Sequence, residues 1–155
     1  MKARLKRIAL AAAAVFVLIQ FIQPARNESG QVLDTDISNT LDIPEGVQVI
    51  LARSCFDCHS NNTHYPWYSY IQPGSWFMAY HVRNGKEKLN FSEFGAYSKR
   101  RQGSKLESIG KQIEAGEMPL PSYLLLHENA ELSPSEKELL INWANDSRDS
   151  TATNH

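Results

Sequence analysis

"CFDCHSNNTHYPWYS", residues 55–69, holds both cysteines of a 155-residue chain, two of its five histidines and a run of aromatic side chains. Three chemistries use paired cysteines at this spacing, and each demands different partners elsewhere. The fold follows from which demand the rest of the chain meets.

A dithiol oxidoreductase sets its thiolates at a helix start within a sheet-based frame. No stretch here shows the sustained two-residue alternation of a strand, whereas helical spacing recurs. A zinc corner built on Cys55, Cys58 and His59 lacks a fourth ligand unless His64, His81 or His127 supplies it, and His59 directly beside Cys58 is poorly placed to wrap the same ion. C-x-x-C-H taken as one unit fits a covalently attached haem. Two thiols three residues apart on a helical turn each add to one vinyl group, and the next imidazole then points under the iron. On this reading Cys55 and Cys58 form thioethers. His59 is the proximal ligand through Nε2, its other ring nitrogen donating to a backbone carbonyl, with Pro66 and Pro73 as candidates.

The N-terminus agrees with that chemistry, because haem attachment occurs outside the cytoplasm. "MKARLKRIALAAAAVFVLIQFIQPARN" opens with a basic region, runs apolar from Ile8 to Ile22 with only Gln20 polar, and stops at Gln23-Pro24. It reads as an export segment. No small-x-small cleavage site follows the apolar run, so residues 1–23 are expected to stay as a signal-anchor in the cytoplasmic membrane, with an exported soluble form if they are cut. The preceding positive charges place the domain on the periplasmic side. Residues 24–41 are mostly polar without apolar periodicity and read as a flexible linker, residues 42–147 as the haem-binding domain and 148–155 as a disordered tail.

Charge excludes one class of partner. The net charge of −1 hides five bases and no acid in residues 1–26; from residue 27 on, eleven bases face seventeen acids. An acidic body is no partner for nucleic acid. The basic stretch from Arg83 to Lys105 reads as a solvated face rather than a docking patch.

Four helices are expected. The first carries Val47, Ile50, Leu51 and Ser54 on one face and delivers Cys55, with Asp42 as its cap. A second places Trp76, Ala79, Tyr80 and Arg83 at helical spacing and ends at Asn84-Gly85. A third starts at a Ser104–Glu107 capping box, lines up Leu106, Ile109 and Ile113, and stops at Gly116. The last starts at a Ser133–Glu136 box with Pro134 at its first position and carries Leu139, Leu140 and Trp143. The fold class is all-α.

The order helix, C-x-x-C-H, helices, Met-Pro loop, closing amphipathic helix resembles the c-type cytochromes. More closely, "ILARSCFDCHSNNTHYPWYSYIQPGSW", "GEMPLPSYLLLHENAELSPSEKELLINWA" and the "LIQFIQPARN" exit resemble the small haem-binding-domain family of exported bacterial proteins, over nearly the whole chain. Phe94 departs from that pattern, which has a Trp there. The resemblance implies a cytochrome c-like helical domain around a covalent haem c, preceded by an anchor helix. Met118, in a Gly-Glu-Met-Pro turn off any apolar stripe, is then the expected distal iron ligand, with His81 as the alternative; Met78, inside a helix, is read as core. Tyr65, Trp67, Tyr68 and Trp76 are expected to wall the haem. The implied function is electron transfer with redox partner proteins by a carrier that is not an enzyme. The alternative is an open-iron haem enzyme or sensor of peroxide or a diatomic gas.

Overall fold

The computed structural model describes residues 1–153, and among these every element is helical; the one β-type contact is an isolated bridge between Glu28 and Asn62. The elements are α1 (Lys2–Ile19), α2 (Ile37–Thr40), α3 (Glu45–Ser54), α4 (Phe56–His59), α5 (Gly74–Lys88), α6 (Lys99–Glu114), α7 (Pro121–Leu124) and α8 (Pro134–Thr153). Short 3₁₀ turns lie at Trp67–Tyr70, Phe91–Ala96 and Glu128–Ala130.

The core forms where the apolar stripes meet. Val47, Ile50 and Leu51 of α3 pack with Leu106 and Ile113 of α6 and with Leu140, Trp143 and Ala144 of α8. Phe91 and Phe94 close the cluster, and Phe94 is wholly buried. The expected face of α3 is the buried one, Ser54 included. Its start differs: Pro44 precedes the first helical residue with no side-chain cap, while the Asp42 carbonyl accepts from Trp143 Nε1 at 3.2 Å. On α8 the capping box forms as read, Ser133 N donating to Glu136 Oε2 at 2.8 Å and Glu136 N to Ser133 Oγ at 3.3 Å. Leu140 and Trp143 face inward, but Leu139 is exposed.

Two helix boundaries are corrected. α6 begins at Lys99, where Ser98 Oγ accepts from Arg101 N. Ser104 therefore lies inside the helix, its carbonyl accepting from Ser108 Oγ, and Glu107 pairs with Lys111 at 2.6 Å. A cap followed by three bases lacks the acidic partner of a capping box and is hard to recognise in sequence. α5 runs through Asn84-Gly85 to Lys88, because Gly85 serves packing rather than termination. Gly116 does stop α6, at a φ of 69°.

The segments at either end are also corrected. Residues 24–41 are not a free linker: Ile37 is fully buried in the core, Asp36 caps α2, and Asn27 Nδ2 donates to Ser60 O and Thr63 Oγ1, both at 2.8 Å. The expected disordered tail continues α8 as far as Thr153, with Thr151 buried; residues 154 and 155 lie outside the described residues. At the N-terminus, α1 buries none of its residues. Four of its first six residues are charged, which leaves Ile8–Ile19 as an apolar stretch about 18 Å long at the ordinary helical rise. No helix among the described residues is long and apolar enough to cross a membrane, so the expected membrane-anchor helix is not found.

Candidate functional site

The C-x-x-C-H turn sits at a corner where α3 stops. Cys55 leaves helical geometry at φ −129°, ψ −42°, yet its N–H still reaches Leu51 O at 2.9 Å, and its carbonyl accepts from Cys58 N at 3.3 Å and His59 N at 3.0 Å. Cys55, Cys58 and His59 thus share one turn, the spacing that puts residues three and four apart on one face. Ser60 is extended and ends the turn.

α5 closes on this turn from one side. A Cβ at Gly85 would collide with the Cys58 carbonyl oxygen, so only glycine admits this approach. Just past α5, Leu89 O lies 3.0 Å from His59 Nδ1. A carbonyl only accepts, so Nδ1 carries the proton and Nε2 is left as the ring atom with a free lone pair. The carbonyl expected from Pro66 or Pro73 is therefore that of Leu89. Burial lowers the His59 pKa, against the opposing pull of the Leu89 and Gly85 carbonyls, so the ring is held neutral.

Burial acts on the thiols in the opposite sense. Cys55 is pushed up to about 12 by burial, then by its neighbour Cys58, against Arg53. Cys58 is pushed up to about 11 by burial and then by Asp57. A nucleophilic dithiol needs a lowered pKa, so these cysteines are not poised for thiol–disulfide exchange. Among the described residues no three His, Cys, Asp or Glu side chains converge as a metal-ion site, which leaves a tetrahedral zinc ion without a prepared cage.

α7 reaches the same turn through Tyr123. Tyr123 OH donates to Asp57 Oδ2 at 2.9 Å, and Asp57 Oδ1 accepts from His64 N at 2.9 Å. The Tyr123 ring stacks on His127 with centroids 4.0 Å apart, His127 Nδ1 donates to Tyr123 O, and His127 Nε2 meets Tyr68 OH at 2.8 Å. Burial, and then the Asp57 charge, raises both phenol pKa values.

The other expected site residues are spread around this turn. Met118 is half-buried in the turn between α6 and α7, its N–H donating to Gln112 O at 3.3 Å. His81 lies four residues before Gly85 on α5 and so shares the face turned to Cys58; its Nδ1 bonds to Phe77 O at 2.8 Å. Tyr68 belongs to the His127 network. Tyr65 accepts from Asn27 N at 2.9 Å, Trp76 donates from Nε1 to Ile22 O at 3.0 Å, and Trp67 is 76 % exposed. A cavity of about 450 Å³ is lined by Arg26, Tyr65, Val82 and Lys86 among others and includes none of Cys55, Cys58 and His59.

A family model described as a haem-binding domain matches residues 14–146. The chain belongs to the haem-binding-domain family. No curated protein and no solved structure is significantly similar to it.

The residues of this haem-binding domain fit the group. His59 presents a neutral ring oriented through Nδ1, and two thiols lie on the same turn. Large apolar side chains stand uncovered on the flanking elements: Trp67 on a turn packed against α5, Phe77 on α5, and Leu125 and Leu126 just after α7. A porphyrin face would cover such surface.

Sequence reasoning missed Gly85, Leu89, Asp57 and Tyr123. Gly85 carries a signal, a glycine within a helical pattern, but after Asn84 that signal reads as a stop. Met78, expected in the core, is half-buried, outside the core cluster, and seven residues before Gly85 on the same face of α5. Leu89 acts through its backbone, which no side-chain pattern reveals.

Proposed function

We propose that this haem-binding domain is a monohaem c-type cytochrome that transfers electrons outside the cytoplasm, with haem held covalently by Cys55 and Cys58. The observation that carries this reading is the Nδ1–H bond from His59 to Leu89 O, which leaves Nε2 as an iron donor beside two protonated thiols on one turn. When bound, the haem iron supplies a one-electron couple. The chain's own residues do the rest. Cys55 and Cys58 would hold the macrocycle, the Leu89 carbonyl fixes the orientation and tautomer of His59, and Met118 would serve as the second iron ligand, with aromatic side chains excluding water. With both His59 and Met118 as ligands the iron would have no place for substrate, which suits transfer to redox partner proteins. The first 23 residues hold the domain at the cytoplasmic membrane on its periplasmic side; the exposed, basic-headed α1 supports this.

One observation favours a second distal ligand: His81 shares the face of α5 that Gly85 turns to Cys58. His81 would give a bis-histidine carrier.

The test is covalent colour. Protein from a host that attaches haem c should be red, keep haem peroxidase stain on a denaturing gel, and give a one-haem pyridine haemochrome. A colourless chain from that host would overturn the reading.

A further inference from the structure

The C-terminal end of α1 is fastened to the haem-binding domain instead of hanging from it. Gln20 Oε1 accepts from Gln72 N at 2.9 Å, Gln72 Nε2 donates to Ile22 O at 2.8 Å, and Trp76 Nε1 donates to the same carbonyl at 3.0 Å. Ser75 Oγ donates to Gln23 Oε1 at 3.1 Å, and Gln23 Nε2 reaches Tyr70 O at 3.3 Å. Gln72 is buried at the centre of this joint. Just beyond it the Arg26 guanidinium lies 3.7 Å from the Tyr70 ring centroid. The joint leaves no slack between α1 and the domain.

Phe21, Ile22, Tyr70, Ile71 and Trp76 surround the joint and are all exposed, Phe21 at 82 %. The same hydrogen bonds that form the joint place them together. Contiguous exposed aromatic and aliphatic side chains mark a binding surface. Two observations choose its occupant. The patch continues into α1, which buries nothing, and the first 27 residues carry five bases and no acid. Apolar surface, Trp and Tyr side chains, and uncompensated positive charge match an anionic lipid interface.

We propose that the face formed by Phe21, Ile22, Tyr70, Ile71 and Trp76 sits in the interfacial layer of an anionic phospholipid bilayer, so that the domain itself lies on the membrane surface. This rests on the reading of α1 as membrane-attached. It replaces a tethered domain that samples distances of tens of ångströms with one held at a fixed orientation.

The test uses the full-length holoprotein with a nitroxide on Ile71→Cys, and on Val49→Cys of α3 as an exposed control outside the patch. The introduced thiol is the one open to the label, because Cys55 and Cys58 of the holoprotein are taken up in the proposed thioethers. On phosphatidylcholine–phosphatidylglycerol vesicles, the Ile71 label should lose access to a water-soluble nickel complex several-fold and gain access to oxygen. The Val49 label should not change. Ile71→Ser should weaken vesicle partitioning about tenfold, the loss of roughly one buried aliphatic side chain. A chain that fails to co-sediment with vesicles overturns both the reading of α1 and this proposal. A chain that co-sediments while its Ile71 label stays open to nickel overturns the proposal alone and leaves the patch to a protein partner.

Discussion

The Tyr123 hydroxyl donates to Asp57 Oδ2 over 2.9 Å, joining the short helix after Met118 to a variable position of the C-x-x-C-H turn, 66 residues away in sequence. The bond ties down the loop that carries the proposed distal ligand. Tyr123→Phe keeps the ring stacked on His127 and removes only this donor. It should cost about 1–3 kcal/mol in thermal or denaturant unfolding, as for a hydrogen bond to a charged partner. It should also speed carbon monoxide binding to the reduced protein, because the Met118 loop opens more often. Unchanged ligand-binding kinetics would limit Tyr123 to a structural bond.

Gly85→Ala tests the closest backbone approach in the site. The new methyl meets the Cys58 carbonyl oxygen, a backbone atom that no rotamer change can move aside. Alanine mid-helix gains about 1 kcal/mol of intrinsic propensity, but overpacking of this kind costs about 1–3 kcal/mol. The net effect should be a less stable protein with less haem attached per chain, measured by melting temperature and pyridine haemochrome. A gain in stability would show that α5 and α4 separate freely.

What the sequence made legible was whatever repeats or clusters along the chain. The α3 face, the Leu106 and Ile113 stripe, the Ser133–Glu136 box and the shared turn of Cys55, Cys58 and His59 are all local patterns, and local geometry decides them. What stayed hidden depends on distant segments meeting. Residues 24–41 read as a linker because their polar side chains have no partner in sequence; in the fold Asn27 bonds to Ser60 O and Ile37 fills the core. The tail looked polar enough to be disordered, but it extends a helix already docked on α6, and continuing an existing helix adds a bond per residue fixed. Leu89 was invisible for a different reason: a carbonyl reads the same for every residue type.

Acid stability should reflect the capping box of α8. Hydrogen bonds from the Ser133 backbone and then its side chain, with a smaller pull from Arg53 at 2.9 Å, hold the Glu136 carboxyl below its ordinary range. A carboxyl with a depressed pKa adds stability that is complete above its unfolded value and disappears as pH falls through its folded one. Glu136→Gln keeps the box but cannot titrate. Wild type should therefore be the more stable near neutrality, by no more than about 1 kcal/mol for so accessible a pair, with the difference vanishing as acid protonates the carboxyl in the folded state too. Denaturant midpoints across that range measure it; a constant difference would assign it to something other than Glu136.

Met118 is the residue on which the carrier reading turns. It is half-buried in the turn between α6 and α7, outside the core cluster, and Tyr123 five residues later is bonded to the attachment turn. A soft thioether stabilises iron(II) over iron(III), so its loss should lower the reduction potential. Met118→Ala should abolish the weak red charge-transfer band of sulfur-ligated ferric haem and raise cyanide and carbon monoxide binding from negligible to stoichiometric. His127→Ala should do neither, since His127 is engaged at both ring nitrogens; His81→Ala should also do neither, although the Nδ1 bond of His81 to Phe77 O leaves its Nε2 free and makes it the rival ligand. If His81→Ala is instead the change that opens the iron, the distal ligand comes from the Gly85 face of α5, Met118 is only a packed loop residue, and the carrier works at the lower potential of a bis-histidine site.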